Sequence, residues 1–125
     1  MSFIRIGIFA ENIVEDYLIE HGYSILERNF IIKGVGEIDF ICKDADDTII
    51  IVEVKARKKN FFSDDVTPGH FISRSKINKI YNTFYSYCKN ISFNLKIVRF
   101  DVIEVFFESD YLSWNIKHNK NIDLN

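Results

Sequence analysis

Thr48-Ile49-Ile50-Ile51-Val52-Glu53-Val54-Lys55-Ala56-Arg57 is a strand written in two unlike halves. The first half is a continuous apolar run, as expected of a central strand covered on both faces. The second half alternates, with Val52, Val54 and Ala56 on one face and Glu53, Lys55 and Arg57 on the other. A row of charges on a buried strand is an anomaly. Burying an ion is costly unless it is paired or holds a metal.

The segment just upstream divides in the same way. From Glu37 to Lys43, the side chains of Ile38, Phe40 and Cys42 are expected on one face, and Glu37, Asp39, Ile41 and Lys43 on the other. The polar turn Asp44-Ala45-Asp46-Asp47 joins the two strands. Where their charged faces coincide, two carboxylates and a lysine meet beside a buried sheet. Ser24 to Lys33 is a further strand, leading through the turn Gly34-Val35-Gly36, so three strands can form a meander.

Helices flank this block. Over residues 7–21, Ala10, Ile13, Val14, Tyr17, Leu18 and His21 recur at helical spacing, Glu11 borders the stripe and Gly22 supplies a stop. A second helix is predicted over Ser73 to Lys89, with Ile77, Ile80, Tyr81, Phe84, Tyr87 and Cys88 as its apolar stripe. A long loop over residues 58–71 precedes it, holding Lys58, Lys59, Phe61, Phe62 and Pro68-Gly69. Leu95 to Phe107 returns as a strand, and a short segment around Tyr111 to Ile116 precedes an Asn-rich end that frays. The order makes an α/β chain.

A length of 125 residues fits one domain, with its core at about 7–107 and a C-terminal tail at 108–125. The 47% of hydrophobic residues is enough for a packed core, and the net charge of -2 supplies no overall attraction to nucleic acid. Cys42 and Cys88, without a C-x-x-C or a His/Cys cluster, read as small buried hydrophobes in a reducing compartment. The N-terminal apolar run meets Glu11 too soon for a signal peptide, and no stretch is long enough to span a membrane. A cytoplasmic protein, not a membrane protein, is expected.

The charged cluster suits phosphodiester hydrolysis. Mg²⁺ (or Mn²⁺) takes oxygen ligands and often needs only one or two carboxylates, here Asp39 and Glu53, with Glu11 as a third ligand from the first helix. Lys55 would orient water or offset charge developing on phosphate. Arg57, Lys58, Lys59, Arg74, Lys76 and Lys79 could hold the phosphate backbone. Residues 54–79 carry seven Lys or Arg against two Asp, enough for a nucleic-acid footprint. Spacing leaves an alternative open, in which Glu37 and Asp39 are salt-bridge partners of Lys55 and Arg57.

Gly36-Glu37-Ile38-Asp39-Phe40-Ile41, Ile51-Val52-Glu53-Val54-Lys55-Ala56-Arg57 and Arg99-Phe100-Asp101-Val102 together resemble the YraN-like family of small uncharacterised bacterial proteins. Gly7 and Glu11, Gly22-Tyr23, Arg28-Asn29, Gly69 and Lys76 extend the resemblance over about residues 7–107. That family is similar to Holliday-junction resolvases and to the restriction-endonuclease-like superfamily, whose signature is an Asp on one strand and D/E-x-K on the next. The resemblance implies a restriction-endonuclease-like core, a central mixed sheet with a three-strand meander flanked by helices. It implies Asp39, Glu53 and Lys55 as catalytic residues, Glu11 as the helix carboxylate and Arg28 as a nucleic-acid-binding residue. The signature often has Pro before its Asp, where this chain has Ile38. The substrate it implies is DNA, in branched or damaged form, and two-strand cutting by such enzymes implies a homodimer.

Two readings from other classes stand beside the nuclease. One is a nucleic-acid-binding module without hydrolysis. The other is a protein-interaction subunit that uses Phe61, Phe62 and the Asn-rich tail. Arg99 and Asp101, two apart on one strand, are expected as a structural ion pair. His21 and His118 are expected to be structural or solvent-facing, and His70 could touch substrate.

Overall fold

Ser2 caps the first helix, its Oγ accepting the Arg5 amide at 3.3 Å. The helix, α1, runs Phe3–Glu20, and Gly22 at φ +85 ends it while the Tyr23 amide donates back to the Leu18 carbonyl. It thus starts earlier than the apolar spacing predicts. Phe3 is 93% exposed and Ile4 77%, so the first residues of the helix bury little and add no periodic signal. The computed structural model describes residues 2–59, 72–90 and 98–123.

Five strands and a second helix follow: β1 (Ser24–Ile32), β2 (Gly36–Lys43), β3 (Ile49–Lys58), α2 (Arg74–Asn90), β4 (Val98–Phe107) and β5 (Trp114–Asn119). They form one mixed sheet in the order β1-β2-β3-β4-β5. β1, β2 and β3 are an antiparallel meander, β4 runs parallel to β3, and β5 pairs antiparallel with β4. This is an α/β fold consistent with a restriction-endonuclease-like core. The expected tail is therefore partly sheet: β5 continues to Asn119 and pairs along its length with residues 102–107. Alternation there is masked by polar residues, because an edge strand needs little apolar surface. Among the described residues, no helix is long and apolar enough to cross a membrane.

Each face of the sheet carries one helix. Ala10, Ile13, Val14 and Leu18 of α1 pack on Phe40, Cys42, Ile50, Val52, Ile103 and Val105. Ile77, Ile80, Phe84 and Tyr87 of α2 pack on Ile38, Ile41, Ile49, Ile51 and Val102. Tyr81, expected in the α2 stripe, is exposed, and Thr83 is buried instead. The cause is Gly36, where a Cβ would lie 2.7 Å from Thr83 Oγ1 and 3.1 Å from the Lys79 carbonyl oxygen. The start of β2 rests directly on the helix, and only Gly and a small partner allow that approach.

Ile38 departs from the expected alternation. It joins the α2 side, while Phe40 and Cys42 lie on the α1 side. Opposite it on β1, Phe30 also packs on the α2 side, whereas Arg28 lies over the Phe40 ring. Between them Asn29 takes φ 51, a left-handed conformation that Asn tolerates better than most residues. Both strands switch faces across Asn29 and Asp39. The β2–β3 ladder stops at Phe40↔Val52, and beyond it the Val54 amide donates to Asp39 Oδ2 at 2.8 Å. A side-chain oxygen takes over where the main-chain ladder ends.

Candidate active site

The parallel pair β3 and β4 points its carboxyl ends to one edge of the sheet, the place where open α/β sheets commonly build their sites. Asp39 from β2 and Glu53 and Lys55 from β3 meet there, on the face covered by α2. Lys76, in the first turns of that helix, completes the group: its Nζ lies 3.2 Å from Glu53 Oε2. Glu53 is 2% exposed. Two carboxylates and two ammonium groups thus share one partly buried edge.

Their electrostatics follow from crowding. Burial above all, then the adjoining Asp39 carboxylate, pushes Glu53 up to about 7, against the lowering pull of Lys76. Lys55 is shifted down, first by burial and then by repulsion from Lys76, partly offset by Glu53. Lys76 is held above the usual lysine range because Glu53 outweighs the effect of burial. Near neutral pH the carboxylate pair therefore calls for a proton or a cation between its members.

The donor set fits a hard divalent cation. Glu53 Oε1 is buried with no hydrogen-bond partner, a position that costs free energy unless something else binds it. Asp39 holds the Val54 amide with Oδ2, and Glu53 faces Lys76 with Oε2, so each carboxylate keeps one further oxygen. Among the described residues, no group of three or more His, Cys, Asp or Glu gathers. Two carboxylate oxygens match an ion that keeps most of its shell as water and phosphate, as Mg²⁺ does.

Most of the other expected site residues make contacts of their own, and Arg57 also adds to the repulsion felt by Lys55. Glu11 lies on the α1 side, 3.9 Å from Arg28, which also pairs with Glu15 at 3.4 Å and donates to Asn12 Oδ1 at 2.7 Å. Arg57 Nε stands 3.8 Å from Glu104, whose Oε1 accepts from Asn119 Nδ2 at 2.9 Å. Lys59 donates to Glu108 at 2.7 Å, and Lys58 Nζ sits 5.7 Å from the centre of the Tyr111 ring. Arg74 is exposed at the start of α2. Phe61, Phe62, Pro68, Gly69 and His70 lie outside the described residues. Lys76, expected as a phosphate contact, is a partner of Glu53. It shares a helical stripe with Ile80, Thr83 and Tyr87, and that spacing is the signal that could have revealed it.

A second polar cluster lies on the opposite face. Asp101 is 0% exposed, and its oxygens accept from Arg99 Nε and Nη2 at 2.9 Å each, from His118 Nε2 at 2.7 Å and from the Asn121 amide at 2.9 Å. The Tyr17 hydroxyl meets His118 Nδ1 at 2.9 Å. Burial would raise the Asp101 carboxyl, but the bonds from His118 and Arg99 hold it below the ordinary range. The expected Arg99–Asp101 pair is thus one part of a larger structural network. Cys42, buried nearby, has its thiol pushed up to about 12 by burial and then by Asp101, which leaves it a protonated hydrophobe.

Comparison with known proteins agrees with the sequence resemblance. A "UPF0102 protein" of Clostridium tetani (strain Massachusetts / E88) is 43% identical over 105 residues, covering 84% of this chain and 82% of the relative. Another, from Caldicellulosiruptor bescii, is 40% identical over 108 residues, covering 86% and 87%. A third, from Clostridium botulinum (strain 657 / Type Ba4), is 43% identical over 117 residues, covering 93% and 91%. The profile described as "Uncharacterised protein family UPF0102" matches residues 10–105, which takes in Asp39, Glu53, Lys55 and Lys76. With that span and those identities, the chain belongs to the UPF0102 family, the YraN-like proteins.

Proposed function

We propose that this protein is a Mg²⁺- or Mn²⁺-dependent endonuclease that hydrolyses phosphodiester bonds in DNA. The observation that carries the reading is Glu53: a buried carboxylate with an oxygen that has no hydrogen-bond partner, beside Asp39 and between two lysines. Buried polar atoms generally have a hydrogen-bond partner, so an oxygen without one invites a cation, or a proton shared with Asp39.

Asp39 and Glu53 would hold the ion, each with the oxygen not already engaged. A bound divalent cation polarises phosphate and lowers the pKa of a coordinated water. Lys55 follows Glu53 by two on the same strand face, so its ammonium would sit beside a phosphate bound at the ion. Its lowered pKa lets it exchange a proton more readily than a surface lysine, and its charge offsets the negative charge that develops on phosphate. Lys76 favours the ionised form of the buried Glu53 and fixes its second oxygen.

The direct test incubates purified protein with duplex, single-stranded and four-way-junction DNA, with Mg²⁺ or Mn²⁺ and with EDTA. Metal-dependent cleavage is expected, lost in Asp39→Asn and Glu53→Gln and reduced at least about 100-fold in Lys55→Met. Cleavage that persists in both carboxylate variants, or its absence from wild-type protein on all three DNAs, overturns the reading.

A further inference from the structure

An open cleft of about 640 Å³ lies between the β1–β2 turn and α2. Lys33 stands on the turn wall, Lys79 on the helix wall, and Lys76 lines it as well. Lys76 is also the partner of Glu53, so one side chain borders both the cleft and the carboxylate pair.

We propose that this cleft binds the phosphodiester backbone of the nucleic-acid strand that enters the site, with Lys33 and Lys79 as its phosphate contacts. The inference rests on the nucleic-acid reading above and names a path for the substrate within it. Lys33, Lys76 and Lys79 line the cleft with one carboxylate, Glu37, and Glu53 offsets Lys76, which leaves Lys33 and Lys79 against Glu37. Lys33 and Lys79 are exposed, and neither pairs with a described carboxylate. Like charges gathered round one concavity repel one another, and an anion relieves that repulsion. The contrast with the end of β3 is direct: there Arg57 meets Glu104 and Lys59 meets Glu108.

The geometry favours a chain of phosphates over one compact anion. The lysines come from two walls instead of converging from a single loop. Those walls are locked together where Gly36 rests on Lys79 and Thr83, so their separation is fixed. Among the described residues, the remaining lining includes Ile31, Val35 and Ile80, with no aromatic ring for base stacking. Such a surface reads backbone charge, and its binding should depend strongly on salt.

The test is fluorescence anisotropy with labelled single-stranded and duplex oligonucleotides, using the full chain in EDTA so that no cleavage intervenes. Lys33→Gln/Lys79→Gln is expected to weaken binding about tenfold at low salt and to lower the slope of log K against log salt by about 2. Lys89→Gln/Lys120→Gln removes the same charge from elsewhere and is expected to leave both quantities unchanged. The proposal is overturned if the cleft variant binds like wild type, if the control loses as much, or if wild type binds neither oligonucleotide. Loss of binding in the cleft variant alone, with no cleavage by wild type, keeps the cleft and rejects hydrolysis. Cleavage without any effect of the cleft variant does the reverse.

Discussion

Asp101 and Glu53 are buried carboxylates on neighbouring strands, facing opposite sides of one sheet, and their surroundings treat them in opposite ways. Asp101 accepts hydrogen bonds from Arg99, His118 and the Asn121 amide, and its pKa is depressed. Glu53 has one ammonium at 3.2 Å, an oxygen with no partner and a neighbouring carboxylate, and its pKa rises to about 7. A charge kept for architecture is saturated with donors. On the proposed reading, a charge kept for chemistry is left short of them. Burial is common to both, so burial alone would not have told them apart.

The largest test of this contrast is stability. Asp101→Ala strands the Arg99 guanidinium and His118 in a polar pocket without their acceptor, and should cost about 3–5 kcal/mol in urea denaturation. Glu53→Gln should cost far less, because it removes an ionisation that the fold already opposes. Equal losses in the two variants would break the comparison.

The pH dependence should also run in opposite directions. With its folded pKa raised from 4.5 to about 7, Glu53 binds more protons folded than unfolded between those values. Stability of the metal-free protein should therefore fall as pH rises through that window, by roughly 3 kcal/mol at most. The fall should be missing in Glu53→Gln. Asp101 has the opposite sign: its contribution is present above its ordinary value of 3.8 and is lost as pH falls through its folded value. Denaturation curves from pH 3 to pH 8 on both variants separate the two slopes.

The smallest effect concerns the helix that delivers Lys76. Gly36→Ala sets a Cβ against Thr83 and the Lys79 backbone, and should destabilise by about 1–3 kcal/mol as α2 is pushed off the sheet. Because Lys76 rides on α2, the carboxyl midpoint of Glu53, followed by NMR, should climb further above about 7. A midpoint that stays in place while stability falls would show that Lys76 does not tune Glu53 through the helix.

The two clusters were unequally legible in the sequence. Asp39, Glu53 and Lys55 stand out because an apolar strand that turns charged breaks its own pattern, and the strand order follows from turns and alternation. Arg99–Asp101 is visible because two residues two apart share a strand face. His118, Asn121 and Tyr17 are not, since their contacts to this network are set by the docking of α1 and by the pairing of β5. The reversal at Asn29 and Asp39 was equally hidden. At Asn29 a single left-handed residue swaps the faces of β1, and alternation cannot register that. Lys76 falls between these cases, on a visible stripe but with a partner that only packing supplies.

The closure between β2 and β3 has one more consequence. At that junction the Val54 amide is bound by the Asp39 carboxylate and not by a peptide carbonyl. A carbonyl there would bring no charge and no spare atom, whereas a carboxylate brings both, aimed by a backbone group of the adjacent strand. On the proposed reading, an interruption in the pleated ribbon has become a mooring for reactivity. A descendant that mended it with regular pairing would then own a sturdier sheet and a silent one.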